Sequence, residues 1–443
     1  MTYFYTVPRL RYKFLSIVIF HARKNFFLHA PEKIMRYDFV VIGANGIQGR
    51  IVSRSLLENG WAVLLCANDD YRMEKLIEHP KADFAFIDLR RMDRVKRAVK
   101  KSGASVVVNC AIDDFNIAVT RMALELDMNY IDLGSEEEMT YAQLELSSEF
   151  KERGILGITG MGSTPGITNV MLRYARPKFD TIETVHVGFS WDSNRPVFVT
   201  PFSIDAIAYE FSEKAKMLEN GKYVERHPTE CSVAYYYRSI GKQKTHYTKH
   251  IEHHTYYEYL KDAGIKNISV FSSFPPHSYA ALRTLLELGF LNKEPIPVDG
   301  VSVKPLEFTA EILRRIPVPE GYSEKETLWL KVFGKKAGQR KSLEMDCVAG
   351  TLPGWKEATC NIDTGFPVAI TAEMILEGKI PEKGMFAPEF VMPIEPFFAE
   401  LAKRKLWVYE DGKRINDVLD KQIVSEAVIR GRVQTPAVAP YRK

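Results

Sequence analysis

What constrains this chain most is a glycine-bearing turn set between an apolar strand and a helix, opening a strict alternation of the two. Residues 37–42 (YDFVVI) form a short apolar run bounded by glycine, the pattern of a strand buried on both faces. Gly43-Ala-Asn-Gly46-Ile-Gln-Gly49 follows. Residues 50–58 then carry Ile51, Leu56 and Leu57 at helical spacing, and Asn59-Gly60 stops them. Further strands are predicted over 62–67, 84–87, 106–109, 129–133 and 155–159, with helices over 92–101, 117–126 and 145–153. This alternation predicts an α/β fold: a Rossmann-type doubly wound parallel sheet over residues 35–160.

After Gly160 the pattern changes. Longer strands are predicted over 182–191, 231–239, 268–271, 328–333, 342–348 and 356–362. Several are joined by short turns, which means antiparallel pairing. Helices are predicted over 203–218, 277–288, 305–315, 366–377 and 396–403. This is an α+β region. Residues 1–34 carry six basic side chains and one acid, Glu32, and are expected to be a poorly ordered extension or to precede a true start at Met35. Residues 410–443 lack periodicity and end in proline-rich basic sequence, which predicts a loosely attached tail.

Composition excludes some functions. A chain of 443 residues with 46% hydrophobic content buries a core and is not disordered. Sixty Lys and Arg against 56 acids leave a net charge of +4, no electrostatic case for nucleic acid. The longest apolar run near the N-terminus, residues 14–20, is too short to span a bilayer, so no integral membrane span is expected. The five cysteines, Cys66, Cys110, Cys231, Cys347 and Cys360, include no C-x-x-C pair. That argues against a disulfide framework and against structural zinc, and places the chain in the cytoplasm. His246, His250, His253 and His254 lack a completing ligand set apart from Glu252, so no metal is expected.

The glycine turn carries the chemistry. Gly43 allows a tight turn, Gly46 lets the backbone approach a pyrophosphate, and Gly49 permits close helix–strand packing. A helix N-terminus behind it favours phosphate. The cofactor expected is NADP or NAD. Its candidate contacts are Gly43, Asn45, Gly46, Ile47 and Gly49 in the turn, and Asn68, Asp69 and Arg72 after the second strand. Asp88 after the third strand and Cys110 and Ala111 after the fourth complete the set. An acid after the second strand binds a ribose hydroxyl, whereas arginine accepts a 2′-phosphate. Asp69 and Asp70 argue for NAD, Asn68 with Arg72 for NADP. A second turn, Gly160 to Asn169, opens another helix at the carboxyl end of a strand. Its Ser163, Thr164, Pro165, Gly166 and Asn169 are candidate substrate contacts. Asp113, Asp114, Asn116 and Asp132 would face the same crevice.

The stretches VVIGANGIQGRIV, VVVNCAIDDFN, MNYIDLG, GMGSTPGITNVM, PFSIDAIAYEF, LLELGFLNKEPIPVDGVSVKP and TGFPVAITAEMILEGKIPEKGMFAPE together resemble the saccharopine dehydrogenase family. The resemblance runs from about Met35 to about Tyr409. It implies a split cofactor domain: an inserted substrate and dimerisation domain over 161–363, then a return segment over 364–409 packing on the first domain. It also implies NAD(P)-linked hydride transfer at a C–N bond of a lysine- or saccharopine-like amino acid, commonly in a homodimer, and places His253 or His254 near the substrate. Asp132 and Asp114 are the acid–base candidates for that reaction. Arg195, Arg226 and Arg283 are candidate partners for a substrate carboxylate. Three departures bear on specificity: Asn68 where an acid is usual, the Asp113-Asp114 turn, and Gly162-Ser163-Thr164 before the Pro-Gly pair. Two other readings stay open. One is a non-catalytic NAD(P)-binding sensor or scaffold. The other is a related reductase acting on a polyamine or lipid; acids rather than arginines lining the crevice would favour the polyamine.

Overall fold

The four residues of the first strand, Phe39–Ile42 (β1), are all buried, as a strand covered on both faces must be. The structure is a computed structural model and describes residues 36–200, 203–212, 214–230, 233–313 and 315–417. The extension 1–34, residues 418–443 of the tail, and Cys231 at the head of the expected strand 231–239 lie outside the described residues. Val63–Ala67 (β2), Ala82–Phe86 (β3), Val106–Asn109 (β4), Asn129–Asp132 (β5) and Leu156–Ile158 (β6) join β1 in the order β6-β5-β4-β1-β2-β3. All neighbours pair in parallel. A seventh strand, Gly384–Phe386, adds in parallel to β6. Phe39 and Val41 point into one apolar core and Val40 and Ile42 into another, so each face of the sheet has its own.

Helix Ile47–Glu58 buries Ile51, Val52, Leu56 and Leu57. Helix Met92–Ser102 buries only Val95 and Val99 among its hydrophobic residues, and ends at Gly103 with φ +68°. Helix Ile362–Leu376 is buried on nearly every side. It lies so close to Ile47–Glu58 that a Cβ on Gly365 would sit 2.4 Å from the Ile51 side chain.

The second sheet is mixed. Thr181–Ser193 runs antiparallel to Glu324–Lys336 and parallel to Asn267–Ser273. Gln339–Gly350 pairs with Glu324–Lys336 on its far side. The larger of the apolar cores runs from the parallel sheet into this one.

Several sequence expectations give way here. The single helix over 203–218 is a helix, Ile204–Ser212, and a strand, Ala215–Glu219, which pairs with Lys222–Arg226. The reason is Asn220-Gly221, both at positive φ, the chemistry of a tight hairpin turn. The helix over 145–153 is present as Ser147–Glu152, and a further helix, Glu137–Leu144, precedes it. The strand over 356–362 is instead a helical turn, Lys356–Ala358, leading into helix Ile362–Leu376. Residues 410–417 do not hang free: Trp407–Glu410 and Lys413–Arg414 form a hairpin turning at Asp411-Gly412, and Trp407–Glu410 pairs with Gln339–Gly350.

Candidate active site

Strand order reverses between β1 and β4, and a crevice opens outside the carboxyl ends of strands at such a point. Gly43 turns the chain there at φ +75°. A Cβ on Gly43 would lie 2.7 Å from the Cys110 carbonyl, and one on Gly49 only 2.1 Å from the Gly43 oxygen. Neighbouring backbone demands both glycines. Gly46 differs: its φ is an ordinary −65°, and a Cβ there would meet nothing closer than 3.3 Å. Its bare Cα leaves a hollow at the start of helix Ile47–Glu58. No side chain caps that start and no acid lies in its first turn. The open N–H groups and helix dipole suit a pyrophosphate, so the residues present fit a dinucleotide.

At the end of β2 the Asn45 amide donates to Asn68 Oδ1 at 3.0 Å and to Asp69 Oδ1 at 2.8 Å. Asp69 Oδ1 also accepts the Tyr71 N–H. Arg50, one residue past Gly49, donates to the Asn45 carbonyl. Burial and then the charge of Arg72 push the Arg50 pKa down, so the two guanidiniums share one neighbourhood. Arg50 is a candidate site residue absent from the sequence reading, although its place beside Gly49 was a signal. Asp88 forks onto its neighbour Arg90 at 2.8 Å and 3.1 Å. With Phe86 and Arg91 it lines a cavity of about 340 Å³ at the edge of the sheet. Cys110 presents its carbonyl to Gly43, while burial pushes its thiol pKa up. Ala111 N–H donates to Asn109 Oδ1.

Asp132 is fully buried. Its Oδ1 accepts the N–H groups of Gly134 and Gly160, and its Oδ2 accepts Tyr130 Oη and Gln143 Nε2, all within 3.0 Å. Four donors occupy it, so it is placed as an anchor for the turns after β5 and β6 rather than as an acid facing the crevice. Asp113, Asp114 and Glu136 follow the carboxyl ends of β4 and β5 and act on one another's charge. Asp113 is half-buried and Asp114 exposed. Burial first, then the charges of Asp132 and Glu136, lift Asp113 to about 7. Burial raises Glu136 too, and Asp114 and Glu138 add to it, while Lys293 and Lys249 pull it back.

In the turn after β6, Gly166 stands at φ +131°. Asn169 is buried, accepts the Gly166 N–H and donates to Glu389 Oε2 at 2.8 Å. Thr164 and Pro165 are buried as well. These residues build the turn. Ser163 alone among them is half-exposed, and its Oγ accepts from Thr364 Oγ1 at 3.1 Å.

The histidines scatter. His246 stacks on Tyr279, and His254 meets Tyr141 edge-on. His250 lies between Glu210 and Glu252 at 3.3 Å and 3.4 Å. Burial opposes its charge, but the two glutamates outweigh burial and lift it to about 10. His253 is buried, bonds the His250 carbonyl through Nδ1, and has Nε2 4.0 Å from Glu137 Oε2. Burial pushes its pKa down. Two of the three expected carboxylate partners are occupied by acids of the chain itself: Arg226 forks onto Glu219 and Arg283 pairs with Glu287. Among the described residues no helix is long and apolar enough to cross a membrane.

Two family models match the chain: the saccharopine dehydrogenase NADP binding domain over residues 39–158 and the saccharopine dehydrogenase C-terminal domain over 162–406. Carboxyaminopropylagmatine dehydrogenase of Synechocystis sp. is 24% identical over 384 residues, 83% of this chain and 96% of that protein. Carboxynorspermidine synthase of Vibrio alginolyticus is 23% identical over 390 residues, 80% of this chain and 92% of that protein. The solved structure of saccharopine dehydrogenase (L-Glu forming) from Saccharomyces cerevisiae aligns with a TM-score of 0.66 at 13% identity, over 86% of this chain and 100% of that one. At that identity the likeness is one of fold.

Proposed function

The chain belongs to the saccharopine dehydrogenase family and is an NAD(P)-dependent oxidoreductase, and on that premise we propose that it acts on the C–N bond of a carboxylated polyamine-type amine. The observation that carries this reading is a group of acids past the carboxyl ends of β4 and β5: burial, with the charges of their acidic neighbours adding, raises Asp113 and Glu136 beside Asp114. A bound ammonium group relieves their repulsion, since an opposite charge favours ionised carboxylates. Lys249 and Lys293, beside Glu136, supply positive charge for a carboxylate at the other end of such a substrate. The two curated relatives are named for carboxylated polyamine compounds, which supports the same class over lysine or saccharopine.

A dinucleotide whose pyrophosphate sits at the Gly43–Gly49 turn would bring a nicotinamide able to give or take a hydride at the carbon of the C–N bond. In this reading Gly46 and the first turn of Ile47–Glu58 hold the pyrophosphate. Asn45, Asn68, Arg50 and Arg72 hold the adenosine end. Asp113, Asp114 and Glu136 orient the amine, and Asp132 keeps the turns that frame it in place.

The test is reduction of NADP and NAD, followed by absorbance, with carboxynorspermidine, carboxyaminopropylagmatine and saccharopine. Turnover of a polyamine compound is expected, with KM raised about tenfold in Glu136→Gln, the worth of one charge-assisted contact. Preference for saccharopine would remove the polyamine reading and leave the family assignment untouched.

A further inference from the structure

An oxidoreductase acting on a C–N bond must move one proton as well as a hydride, and the acids past β4 and β5 are already assigned to the substrate's ammonium groups. A different group of side chains sits behind the turn after β6. Asp363 is 1% exposed, at the start of helix Ile362–Leu376. That helix start adjoins the dinucleotide turn, because Gln48 donates to Asn361 Oδ1 at 3.1 Å. Asp363 Oδ1 lies 3.3 Å from Thr364 Oγ1, and Thr364 donates to Ser163 Oγ at 3.1 Å. Thr364 and Ser163 are both half-exposed, so the chain of oxygens runs from a buried acid towards the carboxyl end of β6. On the inner side the Glu326 side chain interacts with the carboxyl of Asp363, whose Oδ2 takes no hydrogen bond among the described residues. Asp363 is buried and Glu326 half-buried, and two interacting carboxyl groups disfavour a second negative charge, so one of them is favoured to keep a proton.

We propose that Glu326 and Asp363 form a proton-sharing acid pair that exchanges the reaction's proton with the substrate nitrogen through the hydroxyls of Thr364 and Ser163. In the oxidation direction the substrate C–H bond breaks and its electron pair leaves as hydride for the oxidised nicotinamide. The nitrogen's N–H bond breaks, its proton passes to Ser163 Oγ, and the nitrogen pair closes the C=N bond. Ser163 hands its own proton to Thr364, and Thr364 hands one to Asp363. In reduction each transfer reverses. Glu326 keeps its proton throughout. The groups facing the pair are Glu324, Cys360 and Cys347. Glu324 is held by Tyr322 Oη and by the N–H and thiol of Cys360. Burial, with Glu324 adding, lifts Asp363 to about 7, and burial with Asp363 lifts Glu326 well above the ordinary glutamate range.

The proposal rests on C–N chemistry but not on which amine is used, so it is tested with whichever compound turns over. Oxidation by the wild type is expected to rise with pH up to about 7 and then level. Thr364→Val and Asp363→Asn are expected to lose about 100-fold in kcat and to lose that pH limb, the scale of positioned proton transfer. Thr364→Ser restores both. A Thr364→Val enzyme that keeps the wild-type rate and pH limb overturns the proposal. A second measurement needs neither substrate nor cofactor: infrared titration of the protein alone. Asp113 and Glu389 also titrate near neutral pH, so the readout is the difference between proteins: a protonated-carboxyl component titrating near neutral pH that wild type has and Asp363→Asn lacks supports the pair. Identical titrating absorption in wild type and Asp363→Asn overturns the pair, even where an enzyme turning over none of the tested amines has removed only the substrate reading.

Discussion

At the scale of single residues, three glycines in one motif do different work, and only the structure separates them. Gly49 is fixed by packing, since any Cβ would press on the Gly43 carbonyl at 2.1 Å. A Cβ on Gly46 would meet the Gly43 carbonyl at 3.3 Å, a contact relieved by a shift of a few tenths of an ångström, so Gly46 is set less by packing than by the pyrophosphate proposed to bind beside it. Gly49→Ala is therefore expected to destabilise the fold by about 2 kcal/mol, an overpacking cost, seen as a lower denaturant midpoint. Gly46→Ala is expected to keep the wild-type midpoint and to weaken dinucleotide binding about tenfold in a fluorescence titration. A Gly46→Ala protein that unfolds early while binding normally would reverse the two roles. Asp132 teaches a similar lesson. The sequence marked it as a carboxylate at the end of a strand, but whether such a group donates protons or accepts hydrogen bonds depends on neighbours distant in sequence. Gln143 and Gly160 supply two of its four donors, and no periodicity reveals them.

Several elements assemble the group proposed for the cofactor's adenosine end. β2 delivers Asn68 and Asp69, and the turn after β1 delivers Asn45, which bonds both. Helix Ile47–Glu58 adds Arg50, and the turn past β2 adds Arg72 at φ +60°. The charge of Arg72 lowers the Arg50 pKa after burial, and two guanidiniums in one neighbourhood gain from an anion between them. Arg50→Ala and Arg72→Ala are each expected to weaken NADPH about 10- to 100-fold, at about 1.5–3 kcal/mol per charge-assisted bond, with NADH little changed. Parallel titrations of the two cofactors check this; equal losses for both would place the arginines elsewhere. The balance between Asp69 and Arg72 was open in the sequence because each residue supports a different cofactor. The asparagine that occupies Asp69 comes from another strand's turn.

The whole molecule carries a pH signature. His250, in its folded setting between Glu210 and Glu252, titrates at about 10, above its ordinary unfolded value near 6.5. Its contribution is present in full below the unfolded value and is lost as pH rises through about 10. Asp113, Asp363 and Glu389, each raised to about 7 chiefly by burial, act with the same sign at lower pH, binding protons more tightly folded than unfolded. His186 and His246, lowered to about 4 by burial, act oppositely between there and about 6.5, offsetting the acids. Above neutrality nothing in this set opposes His250. The thermal midpoint is therefore expected to fall from pH 7 to pH 10, and His250→Gln to flatten that fall; a flat wild-type profile would contradict the buried imidazolium. The sequence by itself determined the parallel sheet, the dinucleotide turn and the family likeness, because strand burial, helix spacing and glycine turns are written in residues a few places apart. Only the tertiary structure decided that Asp113, Asp114 and Glu136 come together, that Asp132 anchors turns, and that Asp363 interacts with Glu326 and leads through Thr364 to Ser163. Those groups lie far apart along the chain, and their charges are set by burial and by neighbours that only the closed fold brings together.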